Sequence, residues 1–242
     1  MTGRALTLAL LVMSAAFARP QNAERTKDRS VTYPVQYSSR LSVSSAAEIS
    51  PKLQAPFTEG TAHPTGIGNC VQLLAACKHG THGCAASSAS GRDLLAQRST
   101  LADCTVLEEL RNAKPANRSF LAELKWDEHI LQLLPPQLSI TVSEEAGRRA
   151  EAAAERGQSW PKFDTTVKAE AAGSDQVGVR GNGFVQRLIL WGRGDFNGDG
   201  FEDLLVQSLD TLTEGTYRNT RLFILTRKTA HGKLSLVRVI PL

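Results

Sequence analysis

Four β-rich runs fall close together near the C-terminus: FVQRLILWG (184–192), EDLLVQSL (202–209), RNTRLFILTR (218–227) and KLSLVRVI (233–240). The segments between them are too short for crossover connections, which need a dozen or more residues, so successive strands must pair antiparallel. The expectation is a four-stranded meander with Leu188, Leu190, Leu205, Phe223, Leu225 and Leu236 buried against whatever precedes it. What precedes it reads at helical period. NCVQLLAACKHG is a short helix ended by Gly80, and Leu101, Cys104, Leu107 and Leu110 recur every three residues up to Pro115. A third helix is capped by Ser143 and runs to Gly157, with Glu144 and Glu145 in its first turn and arginines further on. The fold class expected is α+β: an N-terminal disulfide-bearing helical part followed by a C-terminal four-stranded antiparallel meander.

The connection between the first two runs carries chemistry. In GDFNGDGFED (194–203), oxygen-bearing side chains stand two apart at Asp195, Asn197 and Asp199; Gly200 follows, and Asp203 stands four residues after Asp199. Such spacing lets a compact loop wrap a hard cation. Positions 1, 3 and 5 converge, glycine permits the sharp turn, Phe201 at position 7 supplies its carbonyl, and position 9 closes the ring. Calcium suits the donor set better than magnesium, because six or more oxygens can be offered at flexible geometry. The loop is no EF-hand, since position 12 is Val206 and the flanks are strands. D-x-N-x-D-G-x-x-D followed by Leu-Leu-Val resembles the FG-GAP or VCBS repeat, the calcium-loop hairpin of integrin-α-type β-propellers. That resemblance covers about 184–209 in a single copy, and it implies ligation by Asp195, Asn197, Asp199, the Phe201 carbonyl and Asp203. Arg193, Gly194 and Asp195 also spell an integrin-binding tripeptide, but Asp195 cannot both face a receptor and hold the first coordination position.

Cysteine usage and the N-terminus point to export. Arg4, the apolar run Ala5–Met13 and Ala16-Phe17-Ala18 form a signal peptide over 1–18, too short in its apolar run to span a bilayer. Cys70, Cys77, Cys84 and Cys104 are then expected as two disulfides. Cys70 and Cys77 on one helix would stand about 10 Å apart along its axis, beyond the roughly 7 Å a disulfide tolerates. Cys70–Cys104 with Cys77–Cys84 is favoured, with Cys70–Cys84 and Cys77–Cys104 as the alternative. Cys77, His79, His82 and Cys84 lack zinc-site spacing, and Trp126-Asp127-Glu128-His129 reads as ordinary surface.

The remaining divisions are a polar linker at 19–65, a helical cystine-bearing part at 66–160 and the sheet at 161–242. Within the linker, a short helix is expected at 46–53. A net charge of +4 without basic runs gives no nucleic-acid signature. No second long apolar run predicts a membrane span, and a monomer is expected. The leading function is an exported, periplasmic or secreted calcium-binding protein acting structurally or by interaction with a protein or an anionic envelope polymer. The alternatives are an envelope hydrolase, or an inhibitor or accessory protein, in which the loop is only a scaffold. No G-x-S-x-G or H-E-x-x-H supports the hydrolase.

Overall fold

The computed structural model describes residues 32–59, 61, 63–78 and 91–242. The signal peptide expected over 1–18 therefore lies outside the described residues. Strand β1 (Gln36–Tyr37) is followed by helices α1 (Ala46–Gln54), α2 (Cys70–Lys78) and α3 (Gly91–Asn112), then by α4 (Glu144–Glu155) and α5 (Trp160–Phe163). Strands β2 (Lys168–Gly173), β3 (Gln176–Gly181), β4 (Phe184–Gly194), β5 (Asp203–Leu212), β6 (Arg218–Thr226) and β7 (Ser235–Ile240) complete the chain.

The four-stranded expectation is corrected. Among the described residues the sheet has seven antiparallel strands, β2 to β7 in sequence order, with β1 paired to β4. The four expected runs are β4 to β7. The strands missed had no pattern to find: β2 (KAEAAG) is an edge strand exposed along almost its whole length, and β1 contributes only two residues. Only Val177 and Val179 on β3 carry the alternation of a half-buried strand.

The second correction concerns what the sheet packs on. Both of its faces are covered. Leu205, Leu222, Ile224 and Ile240 meet Ile49, Leu53, Leu73 and Leu110 of the helices α1 to α3. Leu188, Leu190, Leu204, Val206, Phe223 and Leu225 instead face a mostly irregular layer built from Leu121, Ile130, Leu134, Leu138 and Trp160. Two-sided burial explains why β5 and β6 read as unbroken apolar runs rather than alternating ones. Ile49 and Leu53 lie in the stretch expected to be a polar linker, and both are fully buried. Between Tyr33 and Phe57 the stretch is anchored by the buried Ser38, Ile49 and Leu53, with most of its other residues exposed or part-exposed.

One device holds the helical layer together and another lets it close on the sheet. Cys70, at the start of α2, is bonded to Cys104 in α3 with 5.2 Å between their Cα atoms, the favoured pairing. Cys77 is also disulfide-bonded, but its expected partner Cys84 lies outside the described residues. The other device is a glycine. A Cβ on Gly192 would stand 2.6 Å from the Gln36 carbonyl and 2.6 Å from Leu110 Cδ2, so only glycine lets β1 and α3 close on β4 there. The helix expected after Ser143 is α4, and the Ser143 hydroxyl accepts from Ala146 N at 3.2 Å. No helix among the described residues is long and apolar enough to cross a membrane.

Candidate metal centre

The loop between β4 and β5 is coiled by its own side chains. Asp195 Oδ1 accepts from the backbone N–H of Asn197 at 3.2 Å and of Gly198 at 2.6 Å, and Oδ2 accepts from Gly200 N at 3.0 Å. Asn197 Oδ1 accepts from Asp199 N at 2.8 Å, and Asp199 Oδ1 from Phe201 N at 2.9 Å. Gly198 and Gly200 adopt φ of +80° and +82°, the left-handed conformation that lets five residues curl inside one turn. The loop is also docked from outside. Lys114 and Asp195 exchange backbone hydrogen bonds, and the Gly200 carbonyl accepts from Asn117 N and Arg118 N.

Asp195, Asp199 and Asp203 each bring one carboxylate oxygen to within 4.8 Å of the other two, so the group can hold a metal ion. Two orphaned atoms mark where the arrangement is incomplete. Asp203 is fully buried; its Oδ2 accepts from Phe196 N at 3.2 Å, while Oδ1 has no partner. Thr226, 3% exposed, stands opposite Asp203 in the β5–β6 ladder, and residues so paired project to the same face. The Thr226 hydroxyl is likewise without a partner. Buried polar atoms are nearly always satisfied, so a buried carboxylate oxygen with a neighbouring hydroxyl as its one polar contact, next to two further carboxylates, fits an all-oxygen cation site.

The electrostatics agree. Burial pushes Asp203 up to about 6; the Thr226 hydroxyl and the Phe196 N–H pull it down, and the charges of Asp199 and Asp195 push it up further. For Asp199, partial burial acts upward but is outweighed by the Phe201 N–H, the Asn197 side chain and Lys228, which hold it below the usual carboxylate range. Lys228 Nζ lies 3.4 Å from Asp199 Oδ2.

The remaining residues singled out in the sequence fall elsewhere. Arg193 is turned inward, donating to the carbonyls of Leu121 at 2.7 Å and Leu124 at 2.9 Å, so the Arg-Gly-Asp tripeptide is no surface motif. Glu202 points away from the three aspartates: it is buried, accepts from the Ser119 hydroxyl and lies in the field of Arg193. Glu202→Ala is expected to lower stability by about 1–3 kcal/mol, because the part-buried guanidinium of Arg193 loses the stronger of two counter-charges and the Ser119 hydroxyl loses its acceptor. Chemical denaturation in chelator measures this cost, and a neutral effect would show the carboxylate to be idle. Asp127, Glu128 and His129 also cluster, but Asp127 Oδ1 caps His129 N at 3.0 Å and the His129 side chain is 82% exposed. His79, His82 and Cys84 lie outside the described residues.

Thr226 and Lys228 are the residues that sequence reasoning missed. Neither is part of the loop pattern: the register of β6 against β5 brings Thr226 to it, and the segment that follows β6 brings Lys228. Comparison with protein-family models, curated proteins and solved structures returns no match.

Proposed function

We propose that this is an exported calcium-binding protein in which the cation knits the β4–β5 hairpin to the neighbouring strand and to the 114–118 segment, stabilising a surface used for structure or interaction. The observation that carries the reading is the buried, unpartnered Oδ1 of Asp203, flanked by the carboxylates of Asp195 and Asp199. Asp195, Asp199 and Asp203 would hold the ion, with Asn197 and the Phe201 carbonyl as the further oxygens that the resemblance implies. Calcium is favoured because an oxygen-only set with flexible geometry tolerates its six to eight ligands, whereas magnesium demands a near-ideal octahedron.

A site of this kind in an extracellular module binds at about 10⁻⁴–10⁻³ M. At 100 times the dissociation constant, calcium would add roughly 2.7 kcal/mol of stability, or about 5–10 °C in melting temperature for a chain this size. The shift should vanish with chelator and be much smaller with magnesium. Asp199→Ala should remove it at little cost to the metal-free protein, since that side chain is half-exposed.

Asp203→Asn is the sharper variant. An amide keeps the acceptor for Phe196 N and can donate to the Thr226 hydroxyl, so it relieves a buried charge without a cavity. In chelator at pH 7.5 it should be more stable than wild type by about 1–3 kcal/mol, and it should not respond to calcium. The sign follows from Asp203 being raised. A raised carboxylate favours the fold while protonated and loses that contribution as pH climbs from its unfolded value toward 6. A wild-type melting temperature indifferent to calcium would sink the proposal.

A further inference from the structure

The three aspartates have most of their oxygens committed within the loop. Both oxygens of Asp195, Oδ1 of Asp199 and Oδ2 of Asp203 accept backbone N–H groups. Two oxygens remain. Asp203 Oδ1 at the buried end makes no hydrogen bond among the described residues and has the Thr226 hydroxyl as its polar neighbour, and Asp199 Oδ2 at the exposed end meets the ammonium of Lys228 at 3.4 Å. Thr226 ends β6 opposite Asp203, and the chain leaving the strand carries Lys228, two residues on, to the mouth of the loop. Its Nζ also sits 5.7 Å from the centroid of the Phe201 ring, which Arg118 covers at 5.9 Å. The acidic loop is thus bounded by a neutral hydroxyl at its floor and a positive charge at its rim.

We propose that Lys228 is an internal competitor for the cation: its ammonium neutralises Asp199 in the metal-free protein, and loading replaces that ion pair with the metal. The inference rests on the cation reading above and adds what sets the affinity. A divalent ion ligated by Asp199 would stand within a few ångströms of a fixed positive charge. Even at near-water dielectric, a repulsion of that kind is worth about one order of magnitude in binding. Lys228 is largely exposed and free to swing away, so the ion is not excluded. It is weakened, which confines loading to surroundings rich in the cation.

The test is isothermal titration of calcium chloride into the disulfide-intact wild type, Lys228→Met and Lys228→Arg. Methionine keeps the length of the stem and its contact with Phe201 but drops the charge. Lys228→Met should bind about tenfold tighter, and Lys228→Arg, which restores the charge, should stay within about threefold of wild type. The same order should appear in the calcium concentration that half-saturates the melting shift. Equal or weaker affinity in Lys228→Met, with wild type still binding, overturns the competitor role and leaves the cation site standing. Tight binding in Lys228→Met with none measurable in wild type supports it most strongly. No binding in any of the three overturns the cation reading and this inference together.

Discussion

Replacing Arg221 with methionine is expected to lower the unfolding free energy by about 3–5 kcal/mol, the cost of leaving one member of a buried ion pair alone. Arg221 Nε donates to Asp210 Oδ2 at 2.7 Å, and the Asp210 side chain is completely buried. The same guanidinium donates to the carbonyls of Leu138 at 3.0 Å and Ser139 at 2.9 Å. Gln186 reaches the Leu138 carbonyl at 2.8 Å and the Ser208 hydroxyl at 2.7 Å, and Ser208 in turn donates to Asp210. These bonds tie the Pro136–Leu138 turn to the sheet, so the loss should appear in urea denaturation as a lower midpoint for the whole domain. The double variant Asp210→Leu, Arg221→Met should recover a large part of the loss, because the charge left stranded by the single change is gone. A single variant within 1 kcal/mol of wild type would mean that water reaches Asp210, contrary to its burial.

Asp195→Ala should be nearly as damaging, and it should act in two ways. In chelator it should cost about 2–4 kcal/mol, since three backbone N–H groups lose a charged acceptor and only some regain a partner in water. With calcium it should show no melting shift at all. The two effects separate by measurement: the first is the denaturation midpoint in chelator, the second the difference that calcium makes. Asp195 is thus the organiser of the loop as well as a ligand candidate, and only Asp199→Ala and Asp203→Asn isolate ligation from folding. An Asp195→Ala protein as stable as wild type in chelator would show that the glycines alone shape this loop.

Much of the candidate site was legible in the chain. The spacing of Asp195, Asn197, Asp199, Gly200 and Asp203 is local, and local spacing governs which backbone N–H groups a side chain can reach. The curled loop with its Asp–backbone bonds follows from that spacing. The antiparallel order of β4 to β7 was equally accessible, because short connections leave no other pairing. Helical rise separates Cys70 from Cys77 and so removed that pairing, leaving Cys70–Cys104 and Cys70–Cys84 for the fold to decide, and the structure forms the first.

What the sequence could not decide depends on contacts between residues distant along the chain. Nothing in KAEAAG or in Gln36–Tyr37 distinguishes a strand from a loop; β2 and β1 exist because β3 and β4 offer them ladder bonds. Period alone could not say that the sheet is covered on both faces, since an unbroken apolar run is compatible with either a helix or a doubly buried strand. The loop spacing says nothing of how deep Glu202 and Arg193 lie; the approach of the 119–124 segment buries the first and part-buries the second. The floor of the metal centre, Thr226, belongs to it only through the register Asp203↔Thr226, and its rim, Lys228, only through the segment that follows β6. The sequence by itself determined the loop's donors and the order of the last four strands, because both arise between near neighbours. Tertiary structure alone decided the docking of β1 on β4, the two-sided core and the charge at the mouth of the site, because each requires segments tens of residues apart to meet.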